Sequence, residues 1–282
     1  MYESFFHLKE QPFGSTPDPR YLYWSGAHRE ALAYLAYGVF EKKGFLAVTG
    51  EVGIGKTTII RAFIHTFYPC LEVAFVLNTK ITFDEMLYLI LQDFGCDING
   101  TSKVEMLTVL NNLLLERYAM NRNPVIVIDE AQNLSIENLE ELRMLSNLET
   151  DQEKLLQIVL VGQPELAQML NRRELRQLKQ RIPGVLRMRN LTLDEVKAYI
   201  RFRLKTAGLT NGHLRFTSGA HEAIYQFSGG TPRLINAVCD RVLVRGYLRR
   251  KSMISRDMVN DCVEELSGDS EDERRKVSGL DE

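Results

Sequence analysis

The stretch TGEVGIGKTT, residues 49–58, has the residue types and the spacing of a phosphate-binding loop. Gly50 is followed by four residues and then by Gly55, Lys56 and Thr57, and a short apolar run precedes the motif. Glycines let such a loop curl so that backbone N–H groups converge on phosphate oxygens. The lysine reaches the outer phosphates, and the threonine hydroxyl is a ligand for Mg²⁺. The sequence therefore predicts a phosphate cradle with a bound magnesium ion.

This loop leads into residues 58–67, which predict a helix whose positive N-terminal end points at the bound anion. The alternative is a glycine-rich turn that joins a strand to a helix and binds nothing. We expect binding, because the strand before the loop and the helix after it are the context in which this pattern binds phosphate. The residues expected to form the phosphate cradle are Gly50, Glu51, Val52, Gly53, Ile54, Gly55, Lys56, Thr57 and Thr58.

A second chemical pattern is PVIVIDEAQNLS, in which the apolar residues 125–128 are followed by Asp129 and Glu130. A strand this apolar is expected to be buried in a sheet, so that the residues after it lie at the carboxyl edge beside the phosphate loop. Asp129 can then hold magnesium, and Glu130 can orient the attacking water. The alternative is a pair of solvated acidic residues at a strand end.

Five short segments that are apolar and rich in β-branched or aromatic residues predict the strands that position these loops. They are residues 45–49, 73–77, 125–128, 156–161 and 185–189. Helical patterns separate them, and several begin with a capping box, in which Thr or Ser is followed three residues later by Glu. These pairs are Thr82 with Glu85, Ser102 with Glu105 and Thr192 with Glu195. The alternation predicts an α/β fold with a mostly parallel five-stranded sheet covered by helices on both faces.

The strand pattern stops near residue 190, which predicts a second domain. Residues 1–25 are rich in aromatics and prolines and are expected to form an ordered arm packed on the core, followed by the α/β domain, residues 26–190. Residues 191–266 show helical patterns only and predict a smaller all-α domain. The tail, residues 267–282, has almost no apolar content and is expected to be disordered.

The composition is that of a globular protein and leaves the partners open. The chain has 282 residues, is 45% hydrophobic and carries a formal net charge of −2, so it has no overall attraction to nucleic acid or anionic lipid. Its four cysteines are scattered along the sequence, which favours reduced thiols over a zinc site or disulfides. Reduced thiols are in turn typical of a cytoplasmic location. No apolar run approaches the roughly 20 residues that span a bilayer. Any membrane association is therefore expected to come through a partner.

The two chemical patterns resemble the Walker A and Walker B elements of P-loop ATPases, and the helical second domain narrows the resemblance to AAA+ ATPases. The resemblance implies a sensor role for Gln163, an arginine finger at Arg181, and a nucleotide-contacting second sensor at Arg233. Alternatively, Gln163 caps the next helix. The basic stretch around the finger also contains Arg172, Arg173 and Arg176. Whether Arg176 or Arg181 is the finger stays open.

Longer segments resemble the ExeA/GspA-type branch of AAA+ ATPases, which also includes the pilus-biogenesis protein MshM. They are the N-terminal FFHLKEQPFGSTPDPRYLYWSGAHREALAYLAYGV and the motifs DEAQNL, LVGQPEL, LRQLKQRI and GGTPRLIN, within residues 5–266. The resemblance implies that the helix containing His28 and Glu30 lies against the nucleotide base; alternatively, these residues only pack the arm. Longer members continue into a transmembrane helix and a periplasmic peptidoglycan-binding domain. The lack of both here favours a short, MshM-like cytosolic form.

The resemblance further implies an ATPase that forms a ring or another homo-oligomer, in which Arg181 completes the site of a neighbouring subunit. Hydrolysis would remodel a secretion, type IV pilus or polysaccharide-export apparatus, to which partner proteins recruit the chain at the inner membrane. A weaker alternative is a nucleotide-binding scaffold that barely hydrolyses ATP. The position of Glu130 argues against that alternative.

An alternative from another class is a DNA-associated ATP switch, because transposition regulators of the TnsC type share the fold and similar motifs. Its support in the sequence is a set of basic residues that could line a ring. They are Lys80, Arg245, Arg249, Arg250 and Lys251. A solvated helix face explains the last four equally well.

Overall fold

A computed structural model describes residues 1–14, 18–98, 102–210 and 212–266 of the chain. The chain divides into two compact units. The first, Gly26–Arg189, is called the sheet unit below. The second, called the helical unit, consists of Met1–Ser25 together with the chain from Asn190 onward. The tail predicted to be disordered, residues 267–282, lies outside the described residues.

The elements are numbered in chain order. The helices are α1 (Glu3–Phe6), α2 (Gly26–Phe40), α3 (Lys56–Phe67), α4 (Phe83–Asp93), α5 (Lys103–Ala119), α6 (Ile136–Leu145), α7 (Pro164–Met169), α8 (Arg176–Arg181), α9 (Leu193–Thr206), α10 (Ser218–Ser228), α11 (Pro232–Leu248) and α12 (residues 256–266). The strands are β1 (Phe45–Thr49), β2 (Leu71–Val76), β3 (Asn123–Ile128), β4 (Gln157–Gly162), β5 (Val185–Arg187), β6 (Arg215–Phe216) and β7 (Met253–Ile254). Within the described part of the chain, no helix is both long and apolar enough to cross a bilayer.

The sheet unit is built on five parallel strands in the order β2-β3-β4-β1-β5. This confirms the predicted α/β fold with a parallel sheet. β2 begins earlier than predicted because Leu71 already pairs with Asn123, and β5 ends at Arg187, where its pairing with Thr49 of β1 ends. Because all five strands run the same way, the loops after β1, β3 and β4 open at one edge of the sheet.

Both faces of this sheet are buried. In β3, Ile126 and Ile128 join an apolar cluster with side chains of α4 and α5, whereas Val125 and Val127 join a cluster with side chains of α2 and α3. Successive strand residues point to opposite faces, so a strand covered on both faces is apolar along its length. This is the physical reason why continuous apolar runs marked the strands in the sequence.

The predicted capping boxes are present at the starts of α4, α5 and α9. In each, the Thr82, Ser102 or Thr192 side chain accepts a hydrogen bond from the N–H of the glutamate three residues later. That glutamate side chain in turn accepts from the N–H of the capping residue. The boxes thereby satisfy N–H groups that the first turn of a helix leaves without intrahelical partners.

The helical unit contains a short parallel strand pair in addition to its helices. β6 and β7 pair in the register Arg215 with Met253 and Phe216 with Ile254. The prediction of helices alone for residues 191–266 was wrong on this point. Each strand has two residues, which is too short for an alternating pattern to be readable.

The N-terminal arm, Met1–Ser25, belongs to the helical unit. Its buried side chains in the core of that unit are Tyr2, Phe6, Leu8, Phe13 and Tyr21. The Tyr2 hydroxyl also donates a hydrogen bond to Asp240 of α11 at 2.6 Å. The arm thus packs its aromatic side chains in the core of the helical unit. Residue type alone did not indicate which core would bury them, because aromatic side chains are buried wherever an apolar surface fits them.

Candidate nucleotide site

The phosphate loop follows β1 and ends where α3 begins, at Lys56. Gly53 and Gly55 have positive φ angles of 80° and 103°, a conformation that favours glycine. A Cβ atom on Gly55 would also lie 2.9 Å from His28 Nε2. Gly55 precedes α3 without a side-chain cap, so the first N–H groups of the helix are available to an anion.

The remaining residues of the loop differ in exposure. Ile54 is fully buried in the apolar cluster that the sheet forms with α2 and α3, while Glu51 and Val52 are exposed at the tip of the loop. A Cβ on Gly50 would lie 3.1 Å from Ile54 Cγ2, so the loop closes tightly over this side chain. Thr58 is half-buried in the first turn of α3. Ile54 therefore anchors a loop whose tip faces solvent.

Lys56 is a buried cation, with 6% of its surface exposed. Its Nζ donates to the carbonyl oxygens of Gly50 at 2.7 Å and Glu51 at 3.1 Å. Burial lowers the pKa of Lys56, and the nearby carboxylates of Glu130 and Asp129 oppose this shift because they favour the charged form. The ammonium group is thus held within the loop by neutral carbonyl groups, which a phosphate oxygen can replace.

Thr57 and Asp129 come together although they are far apart in sequence. The Thr57 hydroxyl donates to Asp129 Oδ2 at 2.7 Å. The Asp129 N–H donates to the carbonyl of Val76 in β2 at 3.2 Å, which continues the β2–β3 pairing and fixes the carboxylate at the sheet edge. Mg²⁺ binds through one or two protein oxygens and takes its other ligands from water and phosphate, so this donor pair fits magnesium.

Glu130 lies next to this pair in a left-handed backbone conformation, with φ 51° and ψ 38°. Its Oε2 accepts hydrogen bonds from Gln132 Nε2 at 2.6 Å and from Gln163 Nε2 at 3.2 Å. The bond from Gln132 lowers the pKa of Glu130, aided by Gln163 and the charge of Lys56 and opposed by burial. Glu130 is therefore kept ionised, as a residue that accepts a proton from water must be.

Gln163 follows β4 and occupies the position before α7, but its side chain makes no capping hydrogen bond. The structure directs its amide to Glu130 instead, which places it in the site. Gln132, which bonds the same carboxylate, was not among the predicted site residues. Its position two residues after Glu130, in the motif DEAQ, is the signal that could have identified it.

The structure places Arg181 at the end of α8, where it is half-exposed. Its Nη1 donates to Ser146 Oγ at 2.6 Å and to the Arg143 carbonyl at 3.3 Å, so it is bound to the C-terminal end of α6. Arg176, at the start of the same helix, is exposed. Both arginines thus lie on α8, a short helix of the sheet unit. Of the two, Arg181 is the one whose side chain is bound to the end of α6.

Arg233 lies in the helical unit, in the first turn of α11, with an exposed side chain. The preceding Gly-Gly-Thr-Pro segment acts as expected: Gly229 ends α10 in a left-handed conformation, and Pro232 begins α11. A Cβ on Gly230 would lie 2.0 Å from the Leu191 carbonyl oxygen, so this turn admits no side chain there. The turn fixes the start of the helix that carries Arg233.

Of the two residues predicted beside the nucleotide base, His28 is buried and Glu30 is exposed on α2. His28 packs against Gly55, as described above, and so contacts the phosphate loop. The structure thus joins His28, but not Glu30, to the loop.

A phosphate loop with its lysine, a threonine–aspartate pair suited to Mg²⁺ and an ionised glutamate meet at one edge of a 2-3-4-1-5 parallel sheet. These features define a P-loop NTPase. The family described as "AAA domain" matches residues 40–170, which include the phosphate loop and Glu130.

The chain is also similar to General secretion pathway protein A (GspA) of Aeromonas hydrophila. The two are 42% identical over 281 residues, which cover 99% of this chain and 51% of that protein. The chain therefore spans about half the length of this relative. The resemblance to the ExeA/GspA-type branch is confirmed, and the chain is a GspA-like AAA+ ATPase.

Solved structures share the fold at low sequence identity. The ORC2 protein of Aeropyrum pernix, in ADPNP-ADP complexes, matches with a TM-score of 0.65 at 19% identity and covers 91% of this chain and 72% of its own. Drosophila ORC bound to DNA matches with a TM-score of 0.69 at 14% identity, covering 94% and 65%. These likenesses support the P-loop NTPase fold alone.

Proposed function

We propose that this chain couples ATP hydrolysis to the assembly of a homo-oligomer, a ring or a filament, that supports a general secretion, type IV pilus or polysaccharide-export apparatus. The observation that carries the proposal is the contact between Thr57 and Asp129 beside the ionised Glu130. The relation to GspA favours secretion among the three systems. The chain acts in the cytoplasm in this proposal, and partner proteins recruit it to the inner membrane.

Each residue of the site has a distinct task in this reaction. Thr57 and Asp129 would hold Mg²⁺, which when bound would neutralise the charge that develops on the phosphates. Lys56 exchanges its carbonyl partners for the outer phosphates of ATP. Glu130 orients the attacking water and accepts its proton. Gln163, which follows the adjacent strand β4, is the proposed sensor residue near the γ-phosphate. Arg233 is our candidate for the second sensor, a residue that contacts the nucleotide.

The oligomer is proposed because an arginine finger stabilises the transition state only when another subunit supplies it. Arg181 is our candidate, with Arg176 as the competitor on the same helix. Release of Arg181 from Ser146 would free it to reach a neighbouring site. We expect Arg181→Ala to abolish turnover while nucleotide affinity stays within a small factor, and Arg176→Ala serves as the matched comparison.

A mixing experiment tests whether the arginine acts between subunits. Arg181→Ala keeps an intact phosphate loop, and Lys56→Met keeps its arginine, so each inactive variant supplies what the other lacks. A mixture that regains turnover supports a finger acting in trans. Loss of ATP binding in Arg181→Ala alone would place this arginine in the site of its own subunit.

The DNA-associated switch remains the alternative to be tested, since Drosophila ORC, which has the same fold, is bound to DNA in its structure. The basic cluster of the helical unit gives it little support. Arg245 forms ion pairs with Asp261 at 2.8 Å and with Glu265, and Arg249 pairs with Asp261 at 3.1 Å. These acidic partners neutralise charges that phosphate contacts would need.

The test of the proposed function is the ATPase rate at rising protein concentration, with and without double-stranded DNA, at two salt concentrations. A specific rate that rises with concentration and does not respond to DNA supports the oligomeric secretion ATPase. Stimulation by DNA that salt removes implicates phosphate contacts and would replace the secretion proposal by the DNA switch. A rate independent of concentration would contradict the oligomer.

A further inference from the structure

We propose that Gln132 is a positioning residue, which holds Glu130 in the orientation that activates water. Gln132 lies in the 3₁₀ turn Ala131–Asn133, directly after β3 and Glu130. The inference rests on the proposed hydrolysis of ATP at this site. It assigns a task to a side chain that does not itself reach the reacting atoms.

The carboxamide of Gln132 links two neighbouring strand ends. Its Nε2 donates to Glu130 Oε2 at 2.6 Å, and its Oε1 accepts from the backbone N–H of Gln163 at 3.0 Å. Glu130 follows β3 and Gln163 follows β4, and these strands are adjacent in the sheet. One side chain thus ties the proposed base to the strand end that carries the proposed sensor.

The backbone determines which way the amide of Gln132 points. The N–H of Gln163 is a donor and cannot accept, so it requires the oxygen of the amide. The amide nitrogen then faces Glu130, which as a carboxylate can only accept. The contact with the main chain therefore ensures that Gln132 presents a donor to the carboxylate.

The hydrogen bonds are divided unequally between the two oxygens of Glu130. Both amide donors, from Gln132 and Gln163, engage Oε2. Oε1 is consequently the oxygen that can accept a hydrogen bond from the attacking water. Two donors on one oxygen also prevent rotation of the carboxylate, and orientation of this kind is the contribution expected from a group outside the reacting pair.

Gly162, the last residue of β4, provides the room that this arrangement needs. A Cβ at this position would lie 2.7 Å from Gln132 Oε1 and 3.0 Å from Leu166 Cδ2. The φ of Gly162 is not positive, so space rather than backbone conformation restricts this position. Gly162→Ala would displace the amide of Gln132 and leave the chemistry of its side chain unchanged.

The test compares Gln132→Met, Gln132→Glu and Gly162→Ala with the wild type, with Asn133→Ala as the control at an exposed neighbouring position. Methionine keeps the length of the side chain but cannot donate, and glutamate keeps an acceptor for Gln163 but places a second charge beside Glu130. We measure kcat and the dissociation constant of ATP for each variant, and verify folding by thermal unfolding.

For Gln132→Met we expect kcat to fall by about 10- to 100-fold with ATP affinity unchanged, because only the orientation of the base is lost. Gln132→Glu should lower kcat further, because a second carboxylate beside Glu130 repels it from its position. Gly162→Ala should act in the same direction as Gln132→Met, because it displaces the same amide.

An unchanged or increased kcat in folded Gln132→Met, or a fall in ATP affinity that accounts for the whole loss of rate, would overturn the positioning role. Glu130→Gln, measured in parallel, separates this failure from failure of the proposed function. If Glu130→Gln is inactive while Gln132→Met matches the wild type, only the inference is wrong. If Glu130→Gln itself turns over ATP normally, the assignment of the base is wrong.

Discussion

Each unit of the molecule contains a buried cation, and the two are held in different ways. Lys56 of the sheet unit is 6% exposed and Arg203 of the helical unit is 8% exposed. Lys56 binds two carbonyl oxygens of its own loop, Gly50 and Glu51. Arg203 donates to the Pro12 carbonyl at 2.5 Å and to the Tyr199 hydroxyl at 2.9 Å.

The surroundings of Arg203 are aromatic. Its guanidinium carbon lies 4.8 Å from the ring centre of Tyr21, 5.6 Å from that of Tyr199 and 5.9 Å from that of Phe13. Because Pro12, Phe13 and Tyr21 belong to the arm, Arg203 fastens the arm to α9. A buried cation surrounded in this way stabilises a fold, whereas one held by loop carbonyls next to carboxylates can exchange its partners for a ligand.

The largest expected effect comes from Lys56→Met. Removal of the ammonium group should lower kcat by about 100- to 1000-fold, the range seen when a charge-stabilising donor is lost, and should weaken ATP binding. The melting temperature should not fall, because the apolar stem is kept and a buried charge is removed. Lys43→Met, at an exposed lysine of the same unit, is the control. A large loss of stability without a loss of activity would show that Lys56 stabilises the fold, as we expect of Arg203, and does not bind the nucleotide.

Arg203→Met should have the opposite effect to Lys56→Met: a loss of stability with ATP binding kept. It leaves the Pro12 carbonyl and the Tyr199 hydroxyl without their donor and removes the aromatic contacts, which should lower the free energy of unfolding by about 2–4 kcal/mol. Urea titration followed by far-UV circular dichroism measures this loss, with the exposed Arg201→Met on the same helix as control. ATP affinity below the transition should be kept. A loss of affinity with normal stability would make Arg203 functional.

Thr192→Ala is expected to have a smaller effect on the same unit. It removes the hydroxyl that accepts from the Glu195 N–H at 3.3 Å and breaks the capping box of α9. Loss of an N-cap costs about 1 kcal/mol. The same urea titration should therefore rank Thr192→Ala between wild type and Arg203→Met, and a larger effect than that of Arg203→Met would show that the aromatic cluster is not the main fastening.

The smallest effect is expected for Arg249→Ala, which removes an exposed ion pair with Asp261. Such pairs contribute about 0.2–1 kcal/mol, so stability should barely change. Because the pair leaves little charge for phosphate, the ATPase rate with DNA should also equal that of the wild type. If DNA stimulated the wild-type rate and Arg249→Ala abolished this stimulation, Arg249 would have a role in DNA binding rather than in stability alone.

The sequence was most informative where one local pattern determines both structure and chemistry. The apolar runs of the sheet predicted the fold, and the spacing Gly50 to Thr57 predicted a glycine-rich loop between a strand and a helix. These features depend on neighbouring residues along the chain. The proposed roles of Arg181 and Arg233 stay predictions, since they require a second subunit or a bound nucleotide.

The features that sequence reasoning missed depend on distant juxtapositions. Gln132 acquires its partners only because β3 and β4, which are separated along the chain by α6, are adjacent in the sheet. The arm is buried against α9 because Arg203 presents a guanidinium that matches its aromatic rings, and no spacing rule links Pro12 to Arg203. Strands of two residues, such as β6, carry too little pattern to be recognised.

The most direct test of the account is single-turnover hydrolysis of ATP by wild-type protein and by Glu130→Gln, with Mg²⁺ present and nucleotide binding measured in the same samples. We expect both proteins to bind ATP with similar affinity, and hydrolysis in Glu130→Gln to be slower by about 100-fold or more, the contribution expected from a general base. Equal rates of hydrolysis in the two proteins would contradict the role of Glu130 as the base.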